Sequence, residues 1–118
     1  MKLEFYQIDA FAKEVFEGNP AAVVPLDRWL SPQIMQSIAQ ENNLSETAFF
    51  CPNGKYFDIR WFTPNGEVEL CGHATMATAF VIFNFIDRNK DKIIFKSLSG
   101  DLVCLLYTSD AADDSYRV

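Results

Sequence analysis

The sequence predicts an α+β domain, on the strength of three patterns in its 118 residues. One is a nearly unbroken apolar run from Ala74 to Ile86, in which only Thr75, Thr78 and Asn84 carry hydrogen-bonding side chains. No polar stripe is left to face water, and a helix apolar all round belongs inside a core or a membrane. The run is about thirteen residues long, short of the roughly twenty that a bilayer requires. Asp87-Arg88-Asn89-Lys90-Asp91 ends it abruptly, so a buried core helix is the expectation. The second pattern is a set of short segments with strand-period alternation, and the third is a single amphipathic helix. Several strands wrapped around one apolar helix give the α+β class.

Taken in order, Lys2 to Phe11 places Leu3, Phe5 and Phe11 on one face and Tyr6, Ile8 and Ala10 on the other. That pattern predicts a central strand covered on both sides. Glu17-Gly18-Asn19-Pro20 reads as a turn, and Ala21 to Pro25 as a short strand ended by proline. Ser31-Pro32 supplies an N-cap and a proline for the first helical position. Ile34, Met35, Ile38 and Ala39 then recur at helical spacing up to Asn42-Asn43. Ser45 to Cys51 follows as a strand, with Glu46, Ala48 and Phe50 on one face and Thr47, Phe49 and Cys51 on the other. Asn53-Gly54 marks a hairpin. Tyr56 to Phe62 alternates Phe57, Ile59 and Trp61 against Tyr56, Asp58, Arg60 and Phe62, with Asp58 and Arg60 expected on a partly wet, structural face. Thr63 to Gly66 turns the chain toward the apolar run, and Lys92 to Ser97 is a further strand.

Composition narrows the class of function. Hydrophobic residues make up 49% of the chain, enough to close one core. A net charge of −6 with no Lys/Arg cluster argues against nucleic acid and anionic membrane as partners and leaves a small molecule. The N-terminus has no continuous apolar segment after its basic residue, so neither signal peptide nor anchor is expected and the location is cytoplasmic. Three cysteines, an odd count in no framework spacing, fit reduced thiols. A single histidine and the lack of a CxxC pair predict no metal.

The chemistry-bearing residues gather where the apolar run begins, at Cys71-Gly72-His73. The first amides of a helix lack intrahelical partners and carry the positive end of its dipole, so this start suits an anion. Gly72 would let a ligand approach the backbone, and a thiol at a helix N-terminus can have its pKa lowered enough to act as a base or nucleophile. A small buried cysteine, a turn glycine and a capping histidine explain the same three residues equally well. Glu46 has a parallel ambiguity. Beside Ala48 and Phe50 a carboxylate would become a proton carrier, yet a solvated residue at a strand end fits its position too.

Phe16-x-Gly18-Asn19-Pro20, Asn43-Leu-Ser-Glu-Thr-Ala-Phe49, Arg60-Trp-Phe-Thr-Pro64 and Glu67-Val-Glu-Leu-Cys-Gly-His-Ala-Thr75 together resemble the N-terminal half of the phenazine-biosynthesis PhzF-like family. The resemblance spans residues 1–103. It implies the diaminopimelate-epimerase-like fold, in which two similar domains each wrap strands around a central helix and enclose the active site. It also implies that Glu46 moves a proton between carbons of a dihydro-hydroxyanthranilate-type substrate without metal or organic cofactor. His73 would assist the glutamate, and Gly72, His73, Asn19 and Ser45 would bind the substrate. The oligomeric state is left open, with a homodimer of the complete protein as one option. Related epimerases and racemases of this fold use a cysteine in a similar setting, so Cys71 as one of two opposed bases is the alternative. A non-catalytic small-molecule-binding protein is a third reading.

Family members run to about twice this length, so a second domain is expected to be missing and the fragment alone to be inactive. Residues 104–118, from Cys104 to Val118, look like the conceptual translation of a transposon-type sequencing adapter and are set apart as a non-native tail. Leu105, Leu106 and Tyr107 retain strand propensity whatever their origin.

Overall fold

The computed structural model describes residues 3–10, 19–106 and 116–117. Its elements are β1 (Tyr6–Ala10), β2 (Asn19–Pro25), α1 (Pro32–Asn42), β3 (Glu46–Asn53), β4 (Tyr56–Thr63), β5 (Gly66–Val68), α2 (Gly72–Val81), β6 (Lys92–Ser97), β7 (Gly100–Leu106) and β8 (Tyr116–Arg117). One turn of π-helix, Ile82–Ile86, extends α2 and closes with a 2.8 Å bond from the Asp87 amide to the Ile82 carbonyl. The strands form one mixed sheet in the order β1-β2-β3-β4-β6-β7-β8, with β5 also paired to β4. The pairs β2/β3 and β4/β6 are parallel, and a helix lies in each crossover.

Strand alternation sends the two helices to opposite faces. Val23, Ala48 and Trp61, neighbours across β2, β3 and β4, belong to the cluster around Ala74, Ala77, Val81 and Ile82 of α2 and its π turn. Val24, Phe49 and Phe62 point the other way and pack with Met35 and Ala39 of α1. The predicted buried helix is therefore observed: every residue from Ala74 to Ala79 is buried. Its two threonines return their hydroxyls to the helix backbone, Thr75 to the Cys71 carbonyl and Thr78 to the Ala74 carbonyl, each at 2.7 Å. Burial leaves them satisfied. The apolar run emerges only at its end, where Phe85 and Ile86 are exposed and Phe85 stacks on Tyr6.

The predicted caps of the amphipathic helix are present. Ser31 Oγ accepts from the Ile34 amide, Pro32 is the first helical residue, and Asn43 ends the helix in the left-handed conformation at φ 51°.

One expectation needs correction. β1 is at the end of the sheet and not central. Leu3 and Phe5 before it are exposed, while Tyr6 and Ile8 pack on the α2 side. Apolar residues on both faces describe what a strand could bury, not how many neighbours it has, and among the described residues β1 pairs only with β2. The β3–β4 hairpin that Asn53-Gly54 signals is present. Asn53 pairs with Tyr56, leaving Gly54 and Lys55 at the turn, with positive φ at Gly54 only. That is the pattern of a type II′ turn, which asks for glycine at its first central position. Phe11, the turn at Glu17-Gly18 and Tyr107 lie outside the described residues. Leu105 and Leu106 pair in β7, and Cys104 before them is fully buried in the α2-side core opposite Ile93.

Candidate active site

Parallel pairing of β2 with β3 begins at Ala21 opposite Glu46, so Glu46 opens its strand. Its side chain points to the α2 face, as its sequence parity with Ala48 and Phe50 requires. There it meets the start of α2. His73 Nε2 lies 2.7 Å from Glu46 Oε2, both side chains about one-fifth exposed. The distance is that of a hydrogen bond, but neither atom has an aligned partner among the described residues, so the contact is a close approach without hydrogen-bond alignment. Loose alignment of this kind is common in active sites before substrate binds. On the other side of the ring, Nδ1 lies 3.6 Å from Cys71 Sγ. Carboxylate, imidazole and thiol thus form a row.

The helix start beneath this row is open. Cys71 occupies the N-cap position in extended conformation yet makes no side-chain capping bond, and the first turn carries no acidic residue. The Gly72 and His73 amides precede the first intrahelical bond, which runs from the Thr75 amide to the Cys71 carbonyl. Gly72 is exposed, and among the described residues a Cβ built there would meet nothing within 4 Å beyond its chain neighbours and its own helix backbone. Its φ lies outside the left-handed region. Neither packing nor backbone strain therefore demands glycine at that position.

The thiol differs from the sequence expectation. Burial pushes the Cys71 pKa up, and the nearby Glu46 carboxylate adds to the rise. The Ala74 and His73 amides oppose it without making a capping bond, and they do not prevail. A helix start lowers a thiol pKa only where the sulfur is not also desolvated.

Not every candidate joins the row. Ser45 precedes β3 and is exposed, and Asn19 opens β2 two residues before the partner of Glu46. Arg60 lies on the partly wet face expected of it, where its guanidinium makes two 2.7 Å bonds to Glu67 and lies over the rings of Trp29 and Phe62. The resemblance pairs His73 with Glu46 and leaves Cys71 as an alternative base; the structure adds that the histidine lies between the carboxylate and the thiol. Only the parity of Glu46 and the apolar helix to which it must face could have suggested it.

A family model described as phenazine biosynthesis-like protein (PhzC-PhzF) matches residues 8–117. An uncharacterized isomerase of Pseudomonas aeruginosa is 54% identical over 102 residues, covering 86% of this chain and 39% of that protein. A human phenazine biosynthesis-like domain-containing protein is 46% identical over 110 residues, with 86% and 38% covered. The crystal structure of a PhzF-family protein from Enterococcus faecalis superimposes with a TM-score of 0.87 at 52% identity, covering 92% of this chain and 42% of the other. A protein described as a predicted epimerase of Pseudomonas aeruginosa shares the fold, with a TM-score of 0.80 at 22% identity. The chain spans about two-fifths of the length of these relatives. The motifs, the fold built around a buried helix, and a match over nearly the whole sequence agree: this chain belongs to the PhzC/PhzF phenazine-biosynthesis-like family.

Proposed function

We propose that this chain supplies one wall of an isomerase active site, in which Glu46 carries a proton between two carbons of a small carboxylate-bearing substrate of the dihydro-hydroxyanthranilate type. The observation that carries the reading is the Glu46 carboxylate held 2.7 Å from His73 beside the uncapped start of α2. Glu46 as carboxylate takes the proton from one carbon. As carboxylic acid it returns a proton to another, and the substrate is rearranged with no change in composition. His73 orients the glutamate, and its imidazole can share the proton while the substrate repositions. The Gly72 and His73 amides, with the open space above Gly72, suit the substrate's carboxylate. No redox or electrophilic step enters this scheme, so it calls for no cofactor.

A racemase using Cys71 is the second reading, favoured by the 3.6 Å approach of the thiol to His73. The raised Cys71 pKa weighs against it, because at neutral pH the sulfur keeps its proton. In either reading the two-domain fold that the resemblance implies would draw the residues facing Glu46 across the substrate from the part of the relatives that this chain does not span. The chain alone is therefore expected to be inactive.

The test compares two variants of the complete protein. Glu46→Gln keeps the shape of the site but cannot shuttle a proton, and turnover should fall by at least ~10²-fold, the contribution of a general acid/base. Cys71→Ala should retain most of the activity. The reverse result, with Glu46→Gln active and Cys71→Ala dead, would install the racemase. If neither substitution changes turnover, the acid/base reading is wrong.

A further inference from the structure

The row of side chains at the start of α2 is also a donor set for a metal ion, a use that proton transfer by Glu46 does not require. Glu46, Cys71 and His73 each place one ligand atom within 4.8 Å of the other two. A tetrahedral cation bonded at roughly 2.0–2.3 Å to oxygen, nitrogen and sulfur holds its ligand atoms roughly 3.3–3.6 Å apart. The pair Cys71 Sγ and His73 Nδ1 already stands at 3.6 Å. These two residues are two positions apart at one helix start, so the turn itself sets their spacing. Completing the triangle requires the Glu46 carboxylate to leave Nε2, on the other side of the ring, and turn toward the nearby sulfur. Glu46 Oε2 and His73 Nε2 are buried without an aligned hydrogen-bond partner among the described residues, so neither of these two atoms gives up an aligned bond when the carboxylate turns.

Thiolate, imidazole and carboxylate together suit zinc, whereas magnesium and calcium prefer oxygen alone. Three protein ligands leave the fourth tetrahedral position to water or an incoming anion. We propose that Glu46, Cys71 and His73 bind Zn²⁺ and that the bound ion withdraws Glu46 from proton transfer. On ligation the Cys71 thiol releases its proton to solvent. One thiolate and one carboxylate then balance the two charges of the ion, and no electron moves.

Cobalt(II) titrated into the full 118-residue chain reads ligation directly. The expected spectrum shows the intense visible bands of a four-coordinate ion and a near-ultraviolet thiolate-to-cobalt band, both abolished by added Zn²⁺. Cys71→Ser should lose the thiolate band. Glu46→Gln and His73→Ala should each weaken cobalt binding by at least ~10-fold, the scale on which metal sites respond to losses even outside the ligand set. Cys51→Ser should leave the spectrum intact. Metal-free melting curves separate a lost ligand from a lost fold, and if Cys71→Ser does not melt cooperatively the Glu46→Gln affinity decides. The spectrum of hydrated cobalt, a thiolate band that survives Cys71→Ser, or unchanged affinity in Glu46→Gln would each overturn the proposal. The readout is ligation and not turnover, so it stands or falls separately from the isomerase reading.

Discussion

The two helices of this domain begin in opposite ways. α1 is closed by its own sequence: Ser31 caps the Ile34 amide, Pro32 sits where no amide hydrogen is needed, and Asn43 terminates the last turn. α2 begins at Cys71 with no side-chain cap and no acidic residue in its first turn. α1 can afford exposure because one stripe of it packs against Val24, Phe49 and Phe62. α2 is buried almost throughout and is held by tertiary packing, so its stability does not depend on a cap. A helix secured by its surroundings can leave its first amides free for a ligand. The family's Cys71-Gly72-His73 motif sits at that open end.

Differences in packing depth give the largest test of the comparison. Ile82, at the end of α2, and Met35, in α1, are both fully buried. Ile82 is enclosed by the large cluster that includes Val23, Trp61 and Phe95. Met35 is flanked by the half-buried Trp29, Leu30 and Ile38, which can settle into a vacated space. Truncation to alanine costs roughly 2–5 kcal/mol in cores, more where the site cannot collapse. Ile82→Ala should fall in the upper half of that range and Met35→Ala in the lower half, measured by denaturant unfolding. Equal costs would mean that the two faces are equally rigid.

A smaller effect separates the faces by pH. Cys104 lies fully buried on the α2 side, and burial pushes its thiol from 9.0 up to about 12. The folded state therefore holds this proton more tightly than the unfolded chain. Stability from this group is complete below pH 9 and is lost as pH rises toward 12. The limiting slope is about 1.4 kcal/mol per pH unit. Cys104→Ala removes the group, so its stability deficit relative to the parent chain should shrink as pH rises through that window. A deficit constant from pH 8 to pH 11 would show that solvent reaches the thiol.

The smallest effect addresses the caps themselves. Ser31→Ala should cost about 1 kcal/mol, the usual worth of a serine N-cap. Cys71→Ser offers the α2 amides the cap they lack, so it should raise the melting temperature slightly while weakening binding of a carboxylate or sulfate at Gly72 and His73. A serine at position 71 that raised stability without touching anion affinity would break the proposed link between the open helix end and ligand binding.

Much of this could be read from the residues alone, because local rules govern it. Ser31-Pro32 and Asn43 bracket α1 by hydrogen-bonding capacity and backbone preference, which involve only near neighbours in the chain. The burial of α2 followed from the lack of any polar stripe between Ala74 and Ile86, and the facing of Glu46 followed from strand parity. The place of β1 at the sheet end could not be read so, since an apolar pattern does not count neighbours. Nor could the row of Glu46, His73 and Cys71. Residues 46 and 73 are brought to 2.7 Å only when α2 crosses beneath β3, and the direction of the Cys71 shift is set by how much water that crossing excludes. Residue types near a helix start are written in the sequence. Distances between elements and the local exclusion of water exist only once the sheet has closed over the helix.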